Sequence, residues 1–444
     1  MQMIKNKFLK LVSILKAKYD SSDIIHRIAN GAFWSFTGTA MAKAIVLFSG
    51  IVCARILSKA QYGEFGMVRS TINMFVVFGT AGIGLTATKY ISEYRKAQQA
   101  RINSIYILSR RFSIITGTLV TFIVFALASF LAKETLHAPH LTNSIRIGAI
   151  LLFFTVLNAS QNGTLSGLER FKDIAINTLK GSIAETFFML IGAYLGGVHG
   201  AILGYGCGFI VLYISNHVSI HRAFSEMGIR IDKQQMRRED ISLLYKFTLP
   251  AALSSFLVMP AYWIIRAILV RTNGFEALAV YEAAEQWRVI ILFIPSAVSQ
   301  IILPILSSLT GTENKKFGRV LFLNLSVNVM IAASIALIVM LFSGFIMNMY
   351  GKEYSNNWPL IILSLSTIFS AISNVVGSSI ASLAKMWAGF LFNFFWAFMI
   401  IFFSCLLSSY GVTGIACAVL FSYIIHSMLQ LIYLWCIAKN RLFC

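Results

Sequence analysis

The sequence predicts an all-α membrane protein with twelve transmembrane helices, and three observations carry that prediction. The chain has 444 residues, is 57% hydrophobic and only 12% charged, and contains 36 Phe, more apolar surface than a soluble core needs. Twelve largely apolar segments run through it, most of them about 20 residues long, the length that crosses a bilayer as a helix. The positive charge sits in every second gap between these segments, which is the pattern that sets membrane orientation.

The first element is the basic segment 1–30. Ile4, Phe8, Leu11, Val12 and Leu15 recur there at helical spacing, among Lys5, Lys7, Lys10, Lys16 and Lys18. This reads either as an amphipathic helix held on the inner leaflet by anionic lipid, or as a basic tail that only sets topology. It does not read as a cleavable signal. Six spans follow, at 31–54, 67–88, 112–132, 147–167, 178–196 and 200–220, and make up an N-terminal half, 31–221. The basic linker 222–244 is the longest gap and is too short for a soluble domain. Spans at 245–270, 280–304, 318–342, 358–383, 387–408 and 412–437 form the C-terminal half, 245–437, and the tail 438–444 ends the chain. Pro250 and Pro260 in span seven, Pro295 in span eight, and Gly79, Gly82 and Gly84 in span two mark places where helices bend, either as static kinks or as points of rocking. Trp263, Trp287, Trp358, Trp387 and Trp396 lie mostly near span ends, where an interfacial belt accounts for most of them.

The net charge of +20 could suggest a nucleic-acid partner, but its placement excludes one. With the N-terminus inside, the cytoplasmic segments, counted with Lys180, Lys246 and Arg319 at the span ends that border them, hold 27 of the 37 Lys and Arg. The outer segments hold Arg55, Lys59, Lys133, Arg146, Arg271 and Lys352, and the remaining Lys43, Arg69, Arg266 and Arg288 lie within spans. An even number of spans also puts Lys439 and Arg441 inside. Cys53, Cys207, Cys405, Cys417 and Cys436 fall in or at the ends of spans, with no metal-ligand spacing, so they read as small packing residues. No metal or cofactor is expected. Neither a GxxxxGK[ST] loop nor an HExxH pair occurs. The short outer gaps and the lack of a soluble domain argue against an enzyme, including one acting on lipid-linked glycans.

Six spans precede the basic linker and six follow it. A shift of 216 residues brings Arg55 onto Arg271, Phe65 onto Tyr281 and Arg69 onto Glu285. Internal repeats of this kind are common in secondary transporters, whose substrate site lies between the halves.

The stretch 53–95, CARILSKAQYGEFGMVRSTINMFVVFGTAGIGLTATKYISEYR, closely resembles the entry to the second helix of bacterial polysaccharide flippases. These are the O-antigen, Wzx-type members of the multidrug/oligosaccharidyl-lipid/polysaccharide exporter superfamily. The resemblance rests on Arg55, Leu57, Tyr62, Gly63 and Gly66, then Gly79, Gly82 and Gly84. In the second half it rests on Leu249–Pro250, Tyr281, Ala284 and Pro304, and length and span count agree across the chain. One departure is Ile265, where family members often carry Asp just before the Arg that is here Arg266. The resemblance implies two pseudo-symmetric six-helix bundles around a central cavity. It implies transport of a polyprenyl-pyrophosphate-linked oligosaccharide, an O-antigen or related unit, from the inner to the outer leaflet of the cytoplasmic membrane by alternating access. Membrane lipids, a polysaccharide polymerase and a chain-length regulator are the further partners expected. The alternative is a drug or cation exporter of the same superfamily, which calls for an acidic or aromatic cavity.

Charges inside spans are costly and tend to face a wet cavity or a partner. Lys43, Arg69, Arg266 and Arg288 are the candidates for holding a pyrophosphate, because guanidinium and ammonium groups replace its lost hydration. Lys43 sits mid-span. Arg69 and Glu282 lie near span ends, where snorkelling is an equal alternative. Glu282, Glu285 and Arg288 share one helical face, so Glu285 and Arg288 either pair or leave a carboxylate free. Glu185, Glu282 and Glu285 are the candidates for coupling to a proton or Na⁺ gradient; for Glu185, contact with Thr186 or Lys180 is the alternative. Asn158, Gln161 and Asn162 either meet sugar hydroxyls or hydrogen-bond between helices.

Overall fold

The computed structural model describes residues 23–95, 99–229, 256–299, 314–383 and 385–442, and among these no β-strand occurs. Residues 1–22, most of the basic linker and Pro250 lie outside the described residues. The helices are α1 (Asp23–Ile56), α2 (Lys59–Thr80), α3 (Ile83–Tyr94), α4 (Gln99–Phe130), α5 (Thr142–Gly167), α6 (Phe171–Glu226), α7 (Val258–Ile291), α8 (Asn314–Leu341), α9 (Ser343–Tyr350), α10 (Trp358–Ser382), α11 (Met386–Leu407) and α12 (Gly411–Leu442).

Among the described residues seven helices are long and apolar enough to cross a membrane, or eight with one bent pair, and two of the long helices fold back on themselves, an arrangement consistent with the expected twelve spans. The pair α2–α3 is one span bent by 44°. The bend sits at Ala81 and Gly82, both in the left-handed region, which glycine tolerates best. The α6 helix is 56 residues long, about twice a bilayer crossing, and turns back at Gly196 and Gly197. In the same way α7 breaks at Gly274, which has φ 79°, and its two halves are spans seven and eight. Pro260 sits in the first turn of α7, where a missing N–H costs nothing, so it makes no kink there. The chain leaves α7 at Leu292, three residues before Pro295.

The first six spans pack on one another, with α1 along α6 and α5 against α3, α4 and α6. In the second half α12 packs on α10 and α11, and α10 on α7 and α8. The main junction between the halves is α2 against α7.

Several helices run well past their apolar windows. The apolar pattern starts span three at 112, whereas α4 starts at Gln99, and α6 continues to Glu226. A second core explains the extension. Ile91, Ile102, Ile105, Leu165, Leu168, Ile220 and Phe224 bury one another at that end of the N-terminal lobe. Arg95 with Glu169 and Arg170 with Glu226 pair on its surface. The tail also differs from expectation, since α12 runs on through Leu442. Trp358 and Trp387 are exposed at helix starts, as an interfacial belt requires, but Trp263 and Trp396 are buried. Trp263 donates its indole N–H to Thr71 Oγ1 at 2.9 Å, across the junction of the lobes.

Candidate functional site

The turn from α1 to α2 sets the register of the site. Ser58 caps α2 through a capping box: its hydroxyl accepts from the Gln61 N–H, and the Gln61 side chain accepts from the Ser58 N–H. With the start of α2 fixed, Tyr62, Gly66 and Arg69 follow at i, i+4 and i+7 on one face, turned toward α7. On α7 the break at Gly274 folds the helix back, so Arg266 on one limb meets Glu282 on the other.

All seven charged candidates line one cavity of about 590 Å³ between the lobes. Lys43 comes from α1, Arg69 from α2, Glu185 from α6, and Arg266, Glu282, Glu285 and Arg288 from α7. Tyr205, Tyr262 and Gln286 complete much of the polar wall.

The charges are organised in two groups. Glu282 bridges two arginines: Arg69 Nη2 donates to its Oε2 at 2.7 Å, and Arg266 Nε donates to its Oε1 at 2.6 Å. One of these bonds crosses between the lobes and the other stays within the C-terminal lobe. Arg266 also donates to the Tyr262 carbonyl at 3.0 Å, so its guanidinium is held both by Glu282 and by its own helix. In the second group Arg288 grips Glu285 through two bonds, at 2.6 and 2.8 Å, and donates to the Tyr262 hydroxyl. That hydroxyl lies 2.9 Å from the Tyr423 hydroxyl.

Lys43 and Glu185 stand apart. Among the described residues neither has an ion-pair partner within 4 Å. The Lys43 ammonium lies 5.8 Å from the centre of the Phe293 ring, and its side chain is half-buried.

Of the sequence alternatives, Glu285 and Arg288 do pair. The cross-lobe pair forms between Arg69 and Glu282 rather than between the shift-related Arg69 and Glu285. The polar run of α5 is not brought to the cavity. Asn158 donates to the Phe209 carbonyl, and Asn162 accepts from Asn216, which also bonds Asn177. Gln161 is buried on the same helix. Asn158 and Asn162 thus join α5 to α6 inside one lobe, the inter-helix alternative, and none of the three is on the cavity wall.

Sequence reasoning missed the closure of one end of the cavity. Gln286 donates to the Tyr62 hydroxyl at 2.6 Å, and the Tyr350 hydroxyl donates to Gln286 Oε1. Tyr354 packs its ring against those of Tyr62 and Tyr350. Arg55 Nε donates to the Met349 carbonyl at 2.6 Å, and Lys59 Nζ to the Glu353 carbonyl at 3.0 Å. On the pseudo-symmetric side, Arg271 of the C-terminal lobe bonds His137 of the N-terminal lobe at 3.1 Å. The 216-residue register that maps Arg55 onto Arg271 also maps His137 onto Glu353, so each lobe reaches over to the equivalent loop of the other. The available signal was a set of hydroxyl-bearing aromatics close to short turns. At the opposite end the lobes meet through rings, Phe36 on Phe293 and Phe78 on Phe256.

The fold thus sets a charged cavity of about 590 Å³ between two helical lobes. It superposes on an inward-facing multidrug resistance MATE-family transporter of the MOP superfamily with a TM-score of 0.76 at 16% identity, over 92% of this chain and 98% of that one. In sequence it is 28% identical over 159 residues to the EPS I polysaccharide export inner membrane protein EpsE of Ralstonia solanacearum, covering 34% of this chain and 36% of that protein. It is 23% identical over 287 residues to the lipid III flippase of Escherichia coli (strain K12), covering 64% of this chain and 68% of that protein. The chain thus spans about a third of the length of the first relative. The family model described as polysaccharide biosynthesis protein matches residues 28–310, and the chain belongs to that family.

Proposed function

We propose that this protein flips a polyprenyl-pyrophosphate-linked oligosaccharide, an O-antigen or related surface-polysaccharide unit, from the inner to the outer leaflet of the bacterial inner membrane. The observation that carries the reading is Lys43. It is a half-buried cation on the cavity wall, with no carboxylate within 4 Å among the described residues. With every group ionised the wall holds four cations against three carboxylates: Arg288 is matched by Glu285, Arg69 and Arg266 share Glu282, and Lys43 is the cation with no carboxylate at hand. A pyrophosphate is the part of such a lipid that a bilayer rejects most strongly, and a cation already paired would have to give up its partner to receive it. Lys43 is free to make the first contact, and Arg69, with its side chain 21% exposed, follows.

Orientation follows from the charge rule. The basic clusters put both termini inside, so the end sealed by Arg55, Tyr62, Gln286 and Tyr350 faces outward. A polyprenyl tail is far larger than a 590 Å³ cavity and stays in the lipid. The head group then enters at the seam where Phe36 of α1 stacks on Phe293. The driving ion acts at Glu185, since arginines already hold Glu282 and Glu285. An oligosaccharide delivered to the outer leaflet is a substrate for a polymerase, so a polymerase and a chain-length regulator are the proposed partners.

The test is transbilayer movement of a labelled polyprenyl-pyrophosphate oligosaccharide in proteoliposomes. The wild type is expected to move it and Lys43→Ala to move it at least about tenfold more slowly, the loss of one charge-assisted contact to phosphate. Equal rates would remove Lys43 from the mechanism. The MATE-like fold and the unpaired Glu185 favour one other reading, export of organic cations. Movement of a cationic dye, without movement of the lipid-linked sugar, would select it.

A further inference from the structure

We propose that Glu282 occupies the place of the substrate's phosphate: the incoming pyrophosphate takes Arg69 and Arg266 from it, and loss of the Arg69–Glu282 bridge releases the sealed end. The inference rests on the flippase reading above and names what triggers the change of access.

The chemistry of the bridge supports substitution. Each oxygen of the Glu282 carboxylate is held by a different guanidinium, at 2.7 and 2.6 Å, and the guanidinium fork receives phosphate oxygens as readily as carboxylate oxygens. Two guanidiniums around one carboxylate leave an excess of one positive charge, which a pyrophosphate with at least two negative charges neutralises better. Glu282, Arg69 and Arg266 all line the cavity, so the bridge can be reached by a ligand that Lys43 has already drawn in.

Position makes the bridge a lock as well as a site. Gly66 lies against the Glu282 side chain, and Gly63, one turn nearer the sealed end, lies against the backbone carbonyl of Phe275. The Tyr62 hydroxyl takes its bond from Gln286, one turn past Glu282 on α7. The Arg69–Glu282 pair is thus the cavity-facing edge of the same contact surface. Glu285 provides the contrast. Its two oxygens are held by Arg288, three residues away in the same helix, so displacing it would separate nothing.

Displacement and opening must also occur together. A carboxylate stripped of both cations while buried carries a large desolvation penalty. Parting of the lobes at the sealed end returns Glu282 to water and removes that penalty.

The experiment uses the full chain in lipid nanodiscs, with native cysteines replaced and spin labels at Lys133→Cys and Lys352→Cys. These exposed positions lie on the two equivalent loops of the sealed end. The probe is polyprenyl pyrophosphate without sugars. In the wild type the probe is expected to bind and to lengthen the inter-label distance. Glu282→Gln is expected to bind the probe about tenfold tighter or more, since no carboxylate competes for the arginines, and to show the longer distance before any probe is added. Glu282→Asp, which keeps the charge, should behave as the wild type. A wild type that binds the probe with no change of distance overturns this inference alone, and so does a Glu282→Gln variant that binds no more tightly. A wild type that does not bind the probe overturns both this inference and the flippase reading. If Glu282→Gln does not fold, the wild-type distance with and without probe decides the matter.

Discussion

Gly63→Ala should hold the sealed end apart, and the size of the effect can be worked from the contact it creates. A Cβ at position 63 would lie 2.0 Å from the Phe275 carbonyl oxygen and 2.8 Å from its carbon, both backbone atoms of the other lobe. Backbone cannot rotate away as a side chain can. A carbon and an oxygen need about 3 Å or more, so the lobes must part by about 1 Å at this point. Two cross-lobe hydrogen bonds join the same pair of helices, Gln286 to Tyr62 at 2.6 Å and Arg69 to Glu282 at 2.7 Å. A further 1 Å takes both past hydrogen-bonding range. One is neutral and one is charge-assisted, so the sealed state loses about 2–4 kcal/mol relative to the open one, a shift of about 30- to 800-fold. The intrinsic helix propensity runs the other way, since Ala is favoured over Gly by about 1 kcal/mol, and it does not offset the clash. Spin labels at Lys133→Cys and Lys352→Cys read the outcome: a longer distance, with slower flipping because the cycle stalls open to the outside. An unchanged distance with wild-type flipping would refute the claim that these backbones meet in the sealed state.

The other predictions probe different parts of the molecule. Lys43→Arg should retain most flipping where Lys43→Ala loses it, because the charge rather than the ammonium shape makes the first contact; proteoliposome rates check this. Asn158→Ala should lower thermal stability by about 1–2 kcal/mol, by leaving the Phe209 carbonyl unpaired, with flipping per folded molecule unchanged. A sugar-contact role would instead slow flipping at constant stability. Gly318→Ala, on an exposed stretch of α8 where a Cβ meets nothing within 4 Å, should raise stability by about 0.5–1 kcal/mol in a thermal unfolding assay.

The spans could be read from the sequence because a bilayer leaves a helix no other way to satisfy its backbone, and about 20 apolar residues are needed to do it. The cavity residues could be read for the related reason that a charge at depth is costly. All seven charges singled out that way line the one cavity. Which charge pairs with which could not be read. Arg69 meets Glu282 rather than Glu285, one turn away, and the choice depends on how α2 slides along α7, which neither helix encodes alone. The α5 polar run was ambiguous for a similar reason: an amide inside a span gains as much from a neighbouring helix as from a cavity, and Asn158 and Asn162 took the neighbour. The helical extension around Ile102, Ile105, Ile220 and Phe224 went unread because its polar surface hides a buried stripe from an apolar-window reading.

The residues that most strongly marked the family are not the ones that would bind substrate. Arg55 bonds the Met349 carbonyl, Tyr62 takes the Gln286 amide, and Gly63 and Gly66 let α2 approach α7 to backbone distance. All four lie on the surface where the lobes seal against each other. Under the alternating access proposed above such a seal is needed whatever the cargo, so a match at these positions reports the gate and leaves the cargo open. Cargo must instead be read from the side chains on the cavity wall, and among those Lys43 is the cation that no carboxylate holds among the described residues. A relative with the same Arg, Tyr and Gly pattern but an acidic or neutral residue at the position of Lys43 would share the gate and, by the same physical argument, carry something other than a phosphate-headed lipid.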